Sequence, residues 1–398
     1  MSLNATPSAE RVHIGIFGKR NAGKSSLINA LTGQDLAIVS NVAGTTTDPV
    51  SKAMELLPLG PVVMIDTPGL DDVGELGAQR VRKAMQVMHK CDLAVVVVDA
   101  TEGETEEHKP LLEQLCAKKI PYVIAMNKCD LLTEVPQDTN HIRFVSAMTG
   151  IGIHELKEII AKLVPSGETN QRIVGDLLTA GDFVVLVIPI DSSAPKGRLI
   201  LPQQQTIRDI LESSASAIVC RDTELAQTLK KLGQPPRLVI TDSQAFGAVS
   251  KIVPCDVPLT SFSILFARYK GSLMQTVNGV RALDRLQDGD TVLISEGCTH
   301  HRQCNDIGTV KLPNWITKYT GKKLNYVFTS GGEFPDDLSP YQLIVHCGGC
   351  MLNEREMKYR LSYAEACGVP MTNYGILISY IHGILERSVQ PLGINIES

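Results

Sequence analysis

Three features of common protein classes are missing from this sequence of 398 residues. It has no run of 18 apolar residues, so a membrane-spanning helix is not expected. It has no cluster of five or six lysines and arginines, and its net charge is −5, which disfavours a nucleic-acid-binding surface. It also has no flavin or nicotinamide loop, which disfavours a redox enzyme.

A signal sequence is also not expected, because residues 1–11 are polar and contain no apolar core. We therefore expect a cytoplasmic protein. In that reducing compartment the ten cysteines are predicted to be thiols or metal ligands rather than disulfides.

The sequence does contain a phosphate loop, Gly18 to Ser25, between an apolar run and a helical stretch. Backbone N–H groups of such a loop, and of the helix that follows, face nucleotide phosphates. Lys24 is predicted to reach the β/γ oxygens, and the Ser25 hydroxyl to bind Mg²⁺. The other residues assigned to the nucleotide here are Asn21, Ala22, Gly23 and Ser26.

A second motif indicates which nucleotide base is bound. Asn127, Lys128 and Asp130 follow the apolar run at 122–126. A carboxylate at Asp130 accepts hydrogen bonds from N1 and the 2-amino group of guanine, whereas adenine offers no such pair of donors. The motif therefore predicts GTP rather than ATP, with the pocket closed by backbone contacts from Ser146 and Ala147.

Two further motifs complete a GTP-hydrolysing site. Asp66 is predicted to hold Mg²⁺ through water, and the N–H of Gly69 to sense the γ-phosphate. Thr45 and Thr46 lie in the polar stretch where the first switch belongs, and Thr46 is predicted to be the second Mg²⁺ ligand. The catalytic residues predicted from these motifs are Lys24, Thr46, Asp66 and Gly69.

The stretches Asn21 to Ala30 and Asp66 to Leu70 resemble GTPases of the Era and MnmE kind. In such relatives an asparagine at the place of Asn21 helps to bind K⁺, which supplies charge that an arginine finger would otherwise give. The other interpretation of Asn21 is an ordinary loop-capping amide. Leu70 stands where Ras-like proteins carry a water-positioning glutamine, so slow intrinsic hydrolysis is expected.

The domain organisation follows from a stretch at 164–176 that is rich in proline, glycine and polar residues and is predicted to be a linker. Beyond it, short strand-like and helix-like runs alternate, which predicts parallel strands with crossover helices. Among these runs, 183–190 predicts a strand, while 264–273 and 374–385 predict helices.

The predicted fold is therefore α/β, with a P-loop GTPase domain followed by two smaller α/β domains with mainly parallel sheets. The predicted bounds are 1–168 for the GTPase domain, 175–260 for a dimerisation domain and 261–398 for a third domain. A homodimer is expected, because a small sheet has edges to cover.

The third domain contains a second candidate site. Cys298 and His300 follow one predicted strand, and His346, Cys347 and Cys350 follow another. Ligand sites of open parallel sheets form past the carboxyl ends of strands. A Cys-x-x-Cys pair lets two sulfurs face one ion, so the group predicts a metal site. By spacing, zinc is the commoner occupant and an iron–sulfur cluster is the other candidate.

The order of a GTPase, a middle domain, Cys-x-His and His-Cys-x-x-Cys resembles the family of FeFe-hydrogenase maturation GTPases, HydF, over the whole chain. The resemblance implies a 4Fe–4S cluster on Cys298, Cys347 and Cys350. It also implies a scaffold that receives a di-iron precursor from radical-SAM maturases and delivers it to the apo FeFe-hydrogenase. The fourth ligand stays open among His300, His346, Cys304 and Glu333.

The competing hypothesis is a GTPase with a structural zinc domain that acts in ribosome or RNA maturation. The acidic balance and the missing basic stripe disfavour it. The two hypotheses differ in the colour they predict for the isolated protein, which is brown with an iron–sulfur cluster and colourless with zinc.

Overall fold

The computed structural model describes residues 6–33, 49–69, 75–164, 171–190, 199–271, 273–297 and 306–396, without the side chains of 75–80 and 107. The chain divides into two compact units, Met1–Glu168 and Thr169–Ser398.

A six-stranded sheet forms the centre of the first unit. Its strands are β1 Val12–Gly18, β2 Val50–Leu56, β3 Gly60–Asp66, β4 Leu93–Asp99, β5 Tyr122–Asn127 and β6 Ile142–Phe144. They lie in the order β2-β3-β1-β4-β5-β6, and all neighbours are parallel except β2 and β3. The helices of this unit are α1 Lys24–Thr32, α2 Glu75–Met88, α3 Lys109–Ala117 and α4 Ile153–Leu163.

Both faces of this sheet are buried. Leu93, Val95 and Val97 of β4 enter one core, whereas Ala94, Val96 and Val98 enter another. Residues of a strand point alternately to the two faces, so a strand that is buried on both sides has to be apolar throughout. This explains why the sequence shows continuous apolar runs here rather than alternating ones.

Two four-stranded sheets, both entirely parallel, form the second unit. The first has strands β7 Phe183–Val187, β8 Ser216–Cys220, β9 Leu238–Thr241 and β10 Leu259–Ser261, in the order β10-β9-β7-β8. The second has strands β11 Thr291–Glu296, β12 Asn325–Ser330, β13 Leu343–His346 and β14 Met371–Asn373, in the order β12-β11-β13-β14. The predicted α/β fold with mainly parallel sheets is confirmed.

Nine α-helices accompany these two sheets in the described part of the second unit. They are α5 Leu201–Glu212, α6 Leu225–Leu232, α7 Phe246–Ile252, α8 Phe262–Tyr269, α9 Leu273–Val280, α10 Leu312–Thr320, α11 Glu354–Ala366, α12 Tyr374–Ile381 and α13 Leu385–Val389. Within the described ranges, no helix combines the length and the apolar character that a bilayer crossing requires.

The helix α8 packs into the cores of both sheets of the second unit. Its Ile264 belongs to a core that contains residues of β7 and β9 as well as of β11 and β13. Its Phe262, Leu265 and Phe266 belong to a core built on β7 and β9. The two sheets therefore share buried side chains, which agrees with their forming one compact unit.

Three elements differ in their bounds from the sequence predictions. The strand predicted at 183–190 ends at Val187, and Pro189, which follows, has no N–H to donate to a sheet. The helix predicted at 264–273 ends at Tyr269, because Gly271 has a φ of 138°. The helix predicted at 374–385 ends at Ile381, and α13 is a separate helix.

Candidate functional site

The motifs of the first unit lie together because they follow parallel strands of one sheet. Gly18, Asp66 and Asn127 are the last residues of β1, β3 and β5. The carboxyl ends of parallel strands meet at one edge of a sheet, which is the usual place for a ligand in an open α/β fold. The sequence prediction of one site from separate motifs rests on this geometry.

The phosphate loop requires glycine at two positions. Gly18 has a φ of 147° and Gly23 a φ of 89°, both in the region that favours glycine. A Cβ on Gly18 would lie 2.2 Å from the carbonyl oxygen of Val97, and one on Gly23 would lie 2.2 Å from Nδ2 of Asn127. Neither position has room for a side chain.

Lys24, the first residue of α1, has a buried side chain that is folded back over the loop. Its Nζ donates hydrogen bonds to the carbonyl oxygens of Gly18, at 3.0 Å, and Lys19, at 2.7 Å. Bonds from an ammonium group to phosphate are stronger than bonds to neutral carbonyls. A bound nucleotide would therefore compete well for this ammonium.

Ser25 and Asp66 form a pair of hard oxygen donors at the head of α1. The Ser25 hydroxyl donates to Oδ2 of Asp66 at 2.7 Å. The other carboxylate oxygen, Oδ1, is buried and has no hydrogen-bond partner among the described residues. Burial raises the pKa of Asp66, against the effects of Ser25 and Lys24, which lower it. An orphaned, buried carboxylate oxygen beside a hydroxyl fits the oxygen ligands that Mg²⁺ takes.

Thr67 anchors the backbone that directly follows Asp66. Its side chain is completely buried, and its hydroxyl donates to the carbonyl oxygen of Ile16 at 2.6 Å. This bond ties the end of β3 to β1, next to the phosphate loop. Gly69 is the last residue described before 75, so its N–H lies close to this fixed point.

Asn127 links the phosphate loop to the loop that follows β6. Its Nδ2 donates to the carbonyl oxygen of Ala22 at 2.9 Å, and its Oδ1 accepts from the N–H of Ala147 at 3.0 Å. The side chain is 2% exposed, so it acts here as a buried brace rather than as a surface amide. Ser146 is also buried, and its Oγ accepts from the N–H of Thr149.

Lys128 and Asp130 have different surroundings. Nζ of Lys128 donates to Asp99 at 2.5 Å. Burial raises the pKa of Asp99, but the bonds from Lys128 and Thr101 outweigh this effect and hold it below its usual value. Asp130 is exposed at the same end of the sheet, and its role in reading the base stays a prediction. The sequence motifs did not identify Asp99, although its place at the end of β4 could have done so.

Asn21 is exposed and has a φ of 60°. Asparagine is one of the few residues besides glycine that tolerate this left-handed conformation. The backbone conformation therefore explains why an asparagine stands at position 21 without reference to K⁺. Thr45, Thr46 and Leu70 lie outside the described residues.

In the second unit, the cysteine loop, defined as residues 347–352, begins directly after β13. Sγ of Cys347 accepts hydrogen bonds from the N–H of Gly297, at 3.0 Å, and the N–H of Gly349, at 3.4 Å. Gly297 immediately precedes Cys298 in the sequence. Cys298 itself, with His300 and Cys304, lies outside the described residues.

The two described cysteines of this loop are partly buried. Burial raises the pKa of the Cys347 thiol and raises that of Cys350 to about 11. A metal cation reverses such an effect, because it stabilises the thiolate directly. No group of three metal-binding side chains converges within the described ranges, from which two of the five predicted ligands are missing.

His346 is held by the protein through both ring nitrogens. Nδ1 lies 2.8 Å from the carbonyl oxygen of Cys347, and Nε2 lies 3.0 Å from the guanidinium of Arg360. Burial, with the charge of Arg360, lowers the pKa of His346 to about 3, so the ring is neutral. A role as cluster ligand requires one of these contacts to break, and it stays a prediction. Glu333 is exposed in the turn after β12.

Two buried cations beside this loop were not identified from the sequence. Arg360 is 1% exposed, and it donates to Glu356 at 2.6 Å and to the carbonyl oxygen of Gly331 at 3.0 Å. Lys270, which follows α8, is also buried. The spacing of Glu356 and Arg360 by four residues could have predicted their pairing on a helix, but not their burial.

Comparison with protein families identifies all three parts of the chain. Residues 13–128 match the model of the 50S ribosome-binding GTPase. Residues 173–271 match the hydrogen maturase F dimerization domain, and residues 274–391 match the hydrogen maturase F tetramerization domain. The chain belongs to the hydrogen maturase F family. The predicted GTPase domain and the predicted family are both confirmed. The second unit contains the matches to the dimerization and tetramerization domains.

Curated relatives match mainly the GTPase part. The tRNA modification GTPase MnmE of Chromobacterium violaceum is 37% identical over 160 residues, which are 39% of this chain and 35% of that protein. The MnmE of Legionella pneumophila is 32% identical over 225 residues, 55% of this chain and 47% of that protein. The chain thus spans less than half the length of these relatives. The solved structure of Aquifex aeolicus Era is 21% identical, covering 52% of this chain and 92% of its own, with a TM-score of 0.36.

Proposed function

We propose that this family member is a GTP-hydrolysing scaffold that carries a 4Fe–4S cluster and assembles and delivers the di-iron precursor of the FeFe-hydrogenase active site. Its partners are radical-SAM maturases and the apo-hydrogenase, in the cytoplasm. The observation that carries the proposal is the cysteine loop, where the N–H of Gly297 meets Sγ of Cys347 at 3.0 Å. This contact supports convergence of the two cysteine motifs in one place.

The proposed division of labour follows the domains 1–168, 175–260 and 261–398. The first hydrolyses GTP, the second forms a homodimer, and the third holds the cluster. Because the family includes a tetramerization domain within the third, assembly beyond the dimer is part of the proposal.

In the GTPase domain we assign the roles by the chemistry of each group. Backbone N–H groups of the loop and the Lys24 ammonium hold the phosphates, and charge that builds up on the γ-phosphate is stabilised by that ammonium. Mg²⁺, held by Ser25, Asp66 and Thr46, would supply additional positive charge there. Asp130 reads the guanine, with Asn127 bracing the two loops around it.

In the cluster domain, Cys298, Cys347 and Cys350 are the proposed thiolate ligands. The residues present fit such a group, because Sγ of Cys347 already accepts two backbone N–H bonds. Bonds of this kind to sulfur tune iron–sulfur clusters. A bound 4Fe–4S cluster would supply a soft, exchangeable iron for attachment of the precursor.

The proposal is tested by isolating the protein without oxygen and measuring iron, sulfide, zinc and visible absorption. Stoichiometric iron and sulfide with a broad visible band are expected. A colourless protein with bound zinc would contradict the scaffold and support the structural-zinc alternative.

Specificity for guanine is expected to depend on Asp130. In Asp130→Asn the affinity for GTP should fall by about 100-fold or more, because two hydrogen bonds to a charged acceptor are lost, while the affinity for xanthosine triphosphate should rise. Titration with both nucleotides measures the change, and Asp138→Asn, a change of an exposed carboxylate in the same unit, is the matched control. Unchanged GTP affinity would refute the base-reading role.

Hydrolysis is expected to be faster in K⁺ than in Na⁺ if Asn21 binds the ion, since the cation adds positive charge at the phosphates. Turnover is compared in the two salts at equal ionic strength. The variant Asn21→Gly keeps the left-handed backbone and removes the amide, so it should lose the K⁺ effect and keep the loop. Equal rates of the unmodified protein in both salts would leave Asn21 as a loop residue.

A further inference from the structure

Lys270 lies directly after α8 and directs its side chain into the cysteine loop. Its Nζ donates hydrogen bonds to the carbonyl oxygens of Gly349, at 2.9 Å, and Cys350, at 3.3 Å, and also to that of Leu352. Lys270 is 79 to 82 residues away from these acceptors in sequence. The cysteine loop is therefore held by a residue from outside β13 and α11, the elements that flank it in sequence.

The contact matches the chemistry of a buried ammonium group. Lys270 is 6% exposed, and removing such a charge from water is unfavourable unless its donors are used. An ammonium group has three N–H donors, and the loop offers three carbonyl acceptors. These carbonyls converge on one point only if the backbone keeps its turn at Gly349, which has a φ of 62°. Lys270 thus selects one loop conformation.

The positive charge of Lys270 also lies beside a proposed ligand, because its Nζ is 3.3 Å from the carbonyl oxygen of Cys350. Three thiolates on a cluster leave the site negatively charged, and one-electron reduction makes it more negative. A buried cation next to the cysteine loop stabilises the more negative state.

We propose that Lys270 is a positioning residue of the cysteine loop, which holds the loop ready for its metal and stabilises the reduced state of a bound cluster. The first part concerns the apoprotein alone. The second part rests on the proposed function, because it requires a cluster.

The first test uses the full-length apoprotein and hydrogen exchange of the amides at 348–352. In Lys270→Met these amides should exchange about tenfold or more faster, because bonds from a charged donor to the loop are lost. Alkylation of Cys350 should accelerate in parallel. Lys230→Met, a change of an exposed lysine on α6, is the control and should leave both rates unchanged. Wild-type rates in Lys270→Met would overturn the loop-holding role.

The second test uses the iron-loaded protein. In Lys270→Gln, which has no charge, iron release to a chelator should be about 10–100-fold faster, and the reduction potential should be more negative. Lys270→Arg keeps the charge and should keep a potential near that of wild type. Equal reduction potentials in the Gln and Arg variants would overturn the electrostatic role. This pair of variants tests that role even if Lys270→Met does not fold.

The two proposals fail in different ways. A wild-type protein without iron or sulfide contradicts the scaffold, while the exchange measurement on the apoprotein still decides whether Lys270 holds the loop. If the wild-type protein holds a cluster, the scaffold proposal stands. If the Lys270 variants then show the amide exchange rates and the reduction potential of wild type, only the role of Lys270 is overturned.

Discussion

GTP turnover in Lys24→Ala is expected to fall by about 10²–10³-fold or more, because the ammonium group that stabilises charge on the transferred phosphate is removed. The side chain is buried over the phosphate loop, where its Nζ donates to the carbonyl oxygens of Gly18 and Lys19. Steady-state phosphate release at saturating GTP measures the effect. Lys162→Ala, a change of an exposed lysine on α4, should retain wild-type turnover.

The same variant tests the independence of the two sites. Lys24 belongs to the first compact unit and the cysteine loop to the second. Iron content per chain in Lys24→Ala is therefore expected to equal that of wild type. Loss of iron together with turnover would show that the first unit is needed to fold or load the second.

Iron binding is expected to be largely lost in Cys347→Ala. The change removes a thiolate, and it also removes the sulfur that accepts the N–H bonds of Gly297 and Gly349. Iron and sulfide analysis of the protein isolated without oxygen measures the loss. Cys367→Ala, at an exposed thiol after α11, is the matched control and should keep its iron.

Retention of stoichiometric iron in Cys347→Ala would contradict the assigned site. The other ligand variants, Cys298→Ala and Cys350→Ala, are expected to behave like Cys347→Ala. His346→Ala is expected to keep its iron with an altered spectrum. The cysteines expected to be dispensable are Cys91, Cys116, Cys129, Cys220, Cys255 and Cys367.

The motifs of the predicted nucleotide site lie together in the structure for a physical reason. Three of its motifs begin at the ends of apolar strands, and parallel strands bring their carboxyl ends to one edge whatever the lengths of the connections. Gly18, Asp66 and Asn127 are therefore neighbours although they are far apart in the chain. Fold class followed in the same way from the alternation of runs.

Other features depend on contacts that leave no local pattern. Lys270 reads in sequence as one basic residue before a glycine, and only the packing of α8 brings it to the cysteine loop. Arg360 reads as part of a surface ion pair, yet it is buried against His346. Element ends were also misjudged where a single glycine, such as Gly271, stops a helix inside an apolar stretch.

The position of α8 also limits where this protein can be cut or recombined. The match to the dimerization domain ends at 271, and the match to the tetramerization domain begins at 274. Lys270 lies before that boundary, and so does Ser263, whose carbonyl oxygen accepts from Asn373 and whose hydroxyl accepts from the N–H of Gly375. A fragment that begins at 274 would lack these contacts, so a chimera that exchanges cysteine loops between relatives has to carry residues 262–270 along with them.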